Sequence, residues 1–316
     1  MLAKSVRIAA AVATCAAVAT AAYATTYNGQ ANDRSAPQGT ASHPQPVAAQ
    51  RLAQPQQVPQ HGLVKGMRLP VQDYMLSNAD TAQVEDARSA VESACMQRHG
   101  FTFNPPSARG TVPVGYDEAN MERRYGLTDE TVAGTHGYQL PGVADPSQEQ
   151  AESDAEEKAE GRTDAWDKVL DEECIPEANE KVGIIDPTDP AGELSAQSFE
   201  VTKTQAPVTK ALAAWSSCMN RAGHSLRSPL DAAADFPSDA AVGRSPSKPS
   251  RAEVRTATAD VTCKKSSGLV AVWYKAEVAY QAKQIAAHKN QLQTQKSRDA
   301  KLIGNARAVL AGPDNH

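Results

Sequence analysis

Apolar residues recur every three or four positions in the segment that leads to the cysteine at position 95, which is the spacing of one face of an α-helix. Asp80, with Gln83 three residues later, is placed to cap the start of this helix. Gly100 follows where a left-handed residue commonly ends a helix. We therefore predict an amphipathic helix that carries a cysteine on the buried side of its last turns. The positions of its apolar face are Val84, Ala87, Val91, Ala94 and Cys95.

A second stretch, after residue 204, has the same pattern. Pro207 suits the first turn of a helix, where its missing N–H group would have no partner in any case. Gly223 follows the last apolar position and is expected to end the helix. The apolar face of this second helix consists of Val208, Ala211, Leu212, Trp215, Cys218 and Met219.

Both predicted helices end in the hexapeptide Cys-Met-x-Arg-x-Gly, and the two copies start 123 residues apart (218 minus 95). The cysteine and methionine are expected to fill a small core, and the arginine to interact with the carbonyl groups at the helix end. Contact of the arginine with a ligand is the alternative. The motif residues are Cys95, Met96, Arg98 and Gly100 in the first copy, and Cys218, Met219, Arg221 and Gly223 in the second.

The repeat predicts a mainly α-helical fold with two tandem, disulfide-linked helical units and proline-rich loops. Residues 61–185 would form the first unit and residues 204–316 the second. Residues 186–203 begin with two prolines and a glycine and show no periodicity, so they are predicted to be the linker between the units. The polar residues after about Gln291 are expected to fray. An aromatic content of 5% suits close-packed helices better than a β-sandwich.

The first residues have the order of a secretory signal peptide. Lys4 and Arg7 precede an uncharged run of 17 residues, 8–24, which ends in Ala-x-Ala, so we predict cleavage between Ala24 and Thr25. A retained membrane anchor and a lipoprotein cleaved before Cys15 are the alternatives. Residues 25–60 are rich in proline and glutamine and poor in apolar residues, which predicts a disordered tail.

Export would change the cysteine count from five to four, because one cysteine belongs to the signal. An even number of cysteines in an oxidising compartment indicates disulfides. Each copy of the hexapeptide is followed by one more cysteine, so the repeat predicts the pairs Cys95–Cys174 and Cys218–Cys263. A zinc site that combines these cysteines with His99 and His224 is the alternative.

The charges are unevenly distributed. The net charge is −5, and residues 145–180 alone hold 14 acidic and three basic residues. We interpret this acidic segment as the solvated face of a helix, because it has no calcium-binding loop motif. The negative balance predicts no affinity for nucleic acid, and membrane association only if the signal is retained or lipidated.

The Cys-Met-x-x-x-Gly segments, the sequence ERRYGL at 122–127 and the later helix with its own cysteine resemble secreted or lipid-anchored actinobacterial proteins of unknown function. The resemblance covers residues 63–290. It implies an extracellular, helical, disulfide-bonded protein and supplies neither catalytic residues nor a substrate.

The chain has no nucleophile elbow, no His-Glu-x-x-His, no phosphate loop and no dinucleotide fingerprint, and we predict no cofactor and no bound metal. The favoured interpretation is an exported, non-enzymatic cell-envelope or extracellular binding or scaffold protein, whose partner is an unknown protein or envelope ligand. The alternative is an extracellular hydrolase that pairs Glu122 with one of the acids within residues 164–173, because paired carboxylates need no short motif.

Overall fold

The computed structural model describes residues 58–105, 107–108, 117–139, 158, 160–237 and 247–312. These residues are mainly helical, as predicted, and contain no β-strand. The predicted signal peptide and the tail up to residue 57 lie outside the described residues. The α-helices are α1 Asn78–Arg98, α2 Met121–Arg124, α3 Glu130–His136, α4 Asp164–Val169, α5 Ile175–Lys181, α6 Pro190–Lys203, α7 Ala206–Arg221, α8 Pro229–Asp235, α9 Arg251–Ser267, α10 Leu269–Ala287 and α11 Lys289–Ala311.

In the described residues, three short helical turns complete these elements. Two are 3-10 turns before α1, and the third is a π-helical turn between α4 and α5. The turns are Gly62–Val64, Pro70–Tyr74 and Leu170–Cys174. Within the described parts of the chain, no helix combines the length and the apolar character that crossing a bilayer requires.

Helix α1 begins earlier than predicted, because Ser77 caps it in place of Asp80. The Ser77 hydroxyl accepts a hydrogen bond from the backbone N–H of Asp80, which lies inside the first turn. The predicted apolar face is buried with one exception, Ala94, which is exposed. Ser77, three positions upstream of Asp80, can also cap the N–H groups of the first turn, so the choice between the two caps could not be made from spacing alone.

The predicted linker is a core helix. Residues 190–203 form α6, which Asp189 caps by accepting from the N–H of Gly192. Pro190 occupies the first turn, where proline is compatible with helix. The buried face of α6 escaped the periodicity analysis because three of its five residues are small and hydroxylated. Those five residues are Ala191, Leu194, Ser195, Ser198 and Thr202.

The main core draws on both predicted units and on the segment between them. The Trp273 ring lies 5.5 Å from the Tyr125 ring and 4.7 Å from the Phe199 ring, measured between centroids. Val64 and Met121 belong to the same cluster of buried residues. Residues of both predicted units therefore contribute to one shared core.

The C-terminal segment also differs from expectation. Residues predicted to fray form α11, which packs along α1. Leu302 and Ala306 of α11 are buried in one cluster with Val84 and Ala87 of α1. Val309 and Leu310 of α11 pack against the same cluster, and Leu292 is buried in the main core, so apolar residues spaced along the helix hold it in place although most of its exposed residues are polar.

Candidate functional site

Both predicted disulfides are present. Cys95 is bonded to Cys174 with 5.4 Å between their Cα atoms, and Cys218 is bonded to Cys263 with 5.6 Å. The first joins the end of α1 to the π-helical turn, and the second joins α7 to α9. Each bond therefore fixes the end of a motif helix to the helix that follows later in the chain.

The final glycine of the hexapeptide has the same role in both copies. Gly100 has a φ of +81° and Gly223 a φ of +89°, a left-handed conformation that glycine adopts without the strain of a Cβ atom. In the first copy the N–H of Phe101 donates to the carbonyl oxygen of Met96 at 3.0 Å. In the second the N–H of His224 donates to that of Met219 at 2.9 Å. Both helices thus end in a Schellman motif.

The methionine and the arginine of the hexapeptide differ in how closely their positions match the prediction. Met96 and Met219 are both completely buried, as the core-filling interpretation predicts. Arg98 does not contact the carbonyl groups at its helix end but forms a salt bridge with Glu177 of α5, across the disulfide. Arg221 is exposed. The expected carbonyl interaction of Arg98 is corrected: a carboxylate within reach is a stronger partner for a guanidinium than a helix end.

The sequence at 122–127 supplies a buried ion pair. Arg124 donates from Nη2 to Oε1 of Glu277 at 2.6 Å and from Nε to Oε2 at 2.9 Å. The Tyr125 hydroxyl donates to Oε2 of the same carboxylate at 2.6 Å. Arg124 also donates to the carbonyl oxygen of Ser195 in α6 at 2.6 Å. The motif therefore connects α2 with α6 and α10 through one fully buried carboxylate.

The same motif also reaches a second buried ion pair. Nζ of Lys264 lies 2.9 Å from Oδ2 of Asp260 and donates to the carbonyl oxygen of Leu127 at 2.7 Å. Both charged side chains are completely buried. A Cβ atom at Gly126, whose φ is +75°, would lie 3.0 Å from Nζ of Lys264. Glycine at this position therefore gives the lysine space to reach the backbone.

Neighbouring groups complete the hydrogen bonding of Asp260. Trp215 donates to Oδ1 at 2.9 Å, and the Tyr138 hydroxyl approaches Oδ2 at 3.3 Å. Burial raises the pKa of Asp260 and lowers the pKa of Lys264, whereas the attraction between the two opposes both changes. Burial likewise raises the pKa of the Tyr125 hydroxyl, and Glu277 adds to the rise. Groups with this many internal partners are typical of structural ion pairs.

Sequence reasoning did not single out Glu277, Asp260 or Lys264. One signal was present: Glu277 is the only acidic residue of α10, a helix that consists mostly of apolar residues. Asp260 and Lys264 lie four residues apart, which places them side by side on a helix. Their partners in the 122–127 segment lie more than 130 positions away, at 137 and 153 residues, so the pairing itself could not be found without the fold.

A third polar site surrounds Asp117. Its Oδ1 accepts from the backbone N–H groups of Ala119 and Met121, whereas its buried Oδ2 has no hydrogen-bond partner among the described residues. Burial raises the pKa of Asp117 to about 6. Burial also raises the pKa of Glu122, and the charge of Asp117 contributes to that rise. Two acids with raised pKa values therefore lie close together at the start of α2.

The acids that sequence reasoning paired with Glu122 lie elsewhere. The segment 164–173 packs through Trp166 against Cys95, with Phe103 edge-on to the Trp166 ring at 5.6 Å. The acids of this segment are exposed, as the solvated-face interpretation predicts, whereas Glu160 and Glu177 of the same acidic stretch are partly buried. They are Asp164, Asp167, Asp171, Glu172 and Glu173. Residues 145–157 of the acidic stretch lie outside the described residues.

The two histidines of the proposed zinc site are used separately. Nε2 of His99 lies 3.2 Å from Oε2 of Glu173, and Nδ1 of His224 lies 3.2 Å from the hydroxyl of Thr256. All four cysteines of the proposed site are in disulfides, so none is a free ligand. Within the described residues no group of three or more His, Cys, Asp and Glu side chains could hold a metal ion.

Comparisons of the chain with protein-family models, with curated proteins and with solved structures give no significant match. The resemblance to secreted actinobacterial proteins stays a prediction.

Proposed function

We propose that the chain is an exported, non-enzymatic binding or scaffold protein of the cell envelope or the extracellular space. The observation that carries this proposal is the pair of interior disulfides, three of whose four cysteines are at most 2% exposed. Disulfides built into the core in this way form and persist in oxidising compartments, which a secretory signal would reach.

The buried ion pairs and hydrogen bonds of the interior support the proposal of a scaffold protein. Its strongest polar interactions, around Glu277 and Asp260, join helices to one another and leave their charged groups surrounded by protein. Such networks favour a single, rigid arrangement of helices. A rigid helical body, in which both motif helices end in Schellman motifs, is suited to a protein that presents a surface to a partner.

The proposal is tested in the cell that produces the protein. We expect the exported fraction to start at Thr25 on N-terminal sequencing and to contain no reactive thiol. A thiol-reactive probe applied under denaturing, non-reducing conditions measures the second property. A full-length protein in the cytoplasm with five reactive thiols would contradict the proposal. If the protein is exported with its cysteines oxidised, affinity capture from the cell envelope under oxidising conditions is the experiment that identifies its ligand.

The arrangement of Asp117 and Glu122 favours a second candidate, an extracellular hydrolase. Glycoside hydrolysis uses two carboxyl groups, one of which acts as general acid with a raised pKa, and the pKa values of both Asp117 and Glu122 are raised. The test is release of reducing sugar from cell-wall polysaccharide by the purified protein. Glu122→Gln should abolish release without changing the melting temperature, and release that survives this substitution would exclude the pair as catalysts.

A further inference from the structure

The two disulfides differ in how far their sulfur atoms can be reached from solvent. Cys95, Cys174 and Cys263 are at most 2% exposed, whereas Cys218 is partly exposed. In the folded protein an external thiolate can therefore approach the sulfur of Cys218, with the buried Cys263 behind it as the sulfur that would leave. The bond between Cys95 and Cys174 offers no such approach.

Carboxylates surround the buried disulfide. Glu173 directly precedes Cys174 and lies 3.2 Å from Nε2 of His99. Glu177 follows Cys174 by three residues and pairs with Arg98. Negative charge at these positions disfavours both an approaching thiolate and a thiolate that leaves. Buried cysteines in such surroundings are typical of an inert, structural disulfide.

The second copy of the repeat has hydroxyl groups at the same two positions. Thr262 directly precedes Cys263, and Ser266 follows it by three residues. The equivalent of Arg98 is Arg221, which is exposed and whose guanidinium has no ion pair within the described residues. The repeat therefore places an arginine that carries an unneutralised charge beside the more accessible disulfide.

Two groups are placed to stabilise a thiolate at Cys218. The Ser266 hydroxyl lies 3.8 Å from Sγ of Cys218 and 3.2 Å from the carbonyl oxygen of Cys263, so its proton can turn from the carbonyl to the sulfur. Arg221 follows Cys218 by three residues on α7, which places both on the same side of the helix. Reactive cysteines occur in partly exposed, electropositive surroundings of this kind.

Other contacts hold α7 and α9 together without the disulfide. Trp215 of α7 donates from Nε1 to Oδ1 of Asp260 of α9 at 2.9 Å. Just after α7, Nδ1 of His224 lies 3.2 Å from the hydroxyl of Thr256. Trp215 and Met219 are completely buried. Opening of the bond should therefore leave both helices in place, so that a folded, reduced form exists and the reaction can be reversed.

We propose that Cys218–Cys263 is a redox-active disulfide that exchanges with a dithiol through attack on the sulfur of Cys218. A thiolate of the dithiol forms a bond to Sγ of Cys218, the bond to Cys263 breaks, and Cys263 takes the electron pair and then a proton. The second thiolate of the dithiol attacks the dithiol sulfur in this mixed disulfide and releases Cys218 as a thiolate, stabilised by Ser266 and Arg221. The dithiol is thereby oxidised to a disulfide, and the disulfide of the protein is reduced to two thiols.

This exchange goes beyond the proposed function and does not depend on it. It is stoichiometric, so it is compatible with a non-enzymatic scaffold, and it requires only that both disulfides form. In the reverse direction the Cys218 thiolate is the nucleophile towards an external disulfide, and the buried Cys263 thiol closes the bond again.

The first test uses the purified, oxidised full-length chain with Cys15→Ser in every sample, because that cysteine belongs to neither disulfide. Glutathione is the probe, since a monothiol forms the mixed disulfide but has no second thiol to resolve it. After rapid alkylation, mass spectrometry should find glutathione on Cys218, a free Cys263 and an intact Cys95–Cys174, with unchanged circular dichroism. Glutathione on Cys263, reaction of all four cysteines together, or absence of a mixed disulfide would overturn the proposal.

The second test measures the roles of the two groups beside Cys218. Dithiothreitol first reduces the exposed disulfide, and the rate of Cys218 alkylation by iodoacetamide is then followed against pH. Arg221→Gln and Ser266→Ala should each slow alkylation at neutral pH by roughly twofold to fivefold, the range of an exposed charge pair, and move its pH dependence to higher pH.

The matched control is Arg98→Gln, which removes the equivalent arginine of the first copy. It should leave the alkylation rate of Cys218 and its pH dependence unchanged, because Arg98 lies beside the other disulfide. Equal effects of Arg98→Gln and Arg221→Gln, or no effect of Arg221→Gln, would overturn the proposed stabilisation of the thiolate and with it the proposal.

Discussion

Arg124 and Glu277 lie 153 residues apart in the sequence and form a two-pronged ion pair in the core, with Nη2 and Oε1 separated by 2.6 Å. Glu277 is completely buried, and its carboxylate also accepts from Tyr125 and Ser198. The pair crosses the boundary between the two units expected from the repeat, and the helix between them, α6, contacts it as well. It is the clearest sign that the chain folds around a shared centre.

Removal of Glu277 should destabilise the whole protein. Glu277→Ala leaves the Arg124 guanidinium buried without a counter-charge, which typically costs about 3–5 kcal/mol. We expect a single unfolding transition in urea with its midpoint at a lower urea concentration, and a free energy of unfolding that is smaller by this amount. The control is Glu200→Ala, which removes an exposed partner of Lys203 and should cost at most about 1 kcal/mol. Equal losses in the two variants would show that the buried pair contributes nothing particular.

The two motif glycines should respond alike to substitution. Gly100→Ala and Gly223→Ala each place a Cβ atom in a left-handed conformation, at a cost of about 1–2 kcal/mol. No atom lies within 4 Å of the added Cβ at either position, so backbone strain is the only expected cause. Thermal unfolding measures the loss.

Gly304→Ala is the matched control for these glycines. Gly304 lies inside α11 with equally open space around it, so alanine there should stabilise the protein by about 0.4–1 kcal/mol. If Gly100→Ala or Gly223→Ala changed the stability in the same direction and by the same amount as Gly304→Ala, the left-handed glycine of the Schellman motif would not be required.

The features that could be predicted from the sequence are those that neighbouring residues determine. The hexapeptide specifies a cysteine one turn before the helix end, a buried methionine and a left-handed glycine, and all three recur in both copies. The disulfide pairing followed from the repeat, because each copy is followed by one further cysteine. The repeated hexapeptide was therefore enough to predict the disulfides and the C-terminal ends of the two motif helices.

The features that were missed depend on distant partners. Helix α6 looked like a linker because Ser198 and Thr202 are polar, yet Ser198 bonds to Glu277 and Thr202 accepts from Trp273 Nε1 at 3.1 Å. Helix α11 looked too polar to pack because the valines that cover it belong to α1. A polar residue becomes a core residue only when its partner is in place, and the partner is not visible in the local sequence.

The two disulfides should differ in their access to reductant. Cys95 and Cys174 are at most 1% exposed, whereas Cys218 is partly exposed near the Ser266 hydroxyl. A mild thiol reductant acting on the native protein should therefore reduce Cys218–Cys263 first. Alkylation followed by mass spectrometry at increasing times identifies the order. Simultaneous labelling of all four cysteines would instead indicate that reduction requires unfolding of the shared core.

Loss of either disulfide should lower stability by a similar amount. Their cysteines are 79 and 45 residues apart in sequence, so the chain-entropy model assigns each about 4 kcal/mol. Because the core is shared, the double variants C95S/C174S and C218S/C263S should each shift one common transition, followed by circular dichroism and by tryptophan fluorescence. Separate transitions seen by the two probes would restore the model of two independent units.

Asp117 should make stability fall as pH rises through the acidic range. Its pKa is about 6 in the folded protein, against 3.8 as its ordinary value, so the folded state binds more protons than the unfolded state between these two pH values. Ionisation of this group alone should therefore cost about 3 kcal/mol by about pH 7. Asp117→Asn cannot ionise, and its amide oxygen can still accept from Ala119 and Met121.

The free energy of unfolding of Asp117→Asn, relative to the wild type, should therefore increase between about pH 4 and about pH 7 and stay constant above that range. Urea denaturation at several pH values measures the difference. The control is Asp171→Asn, which removes an exposed carboxylate outside the Asp117 site and is measured over the same pH range. If the difference in free energy of unfolding between Asp117→Asn and the wild type did not change over this range, the pKa of Asp117 would be the same in the folded and unfolded protein, and burial would not raise it.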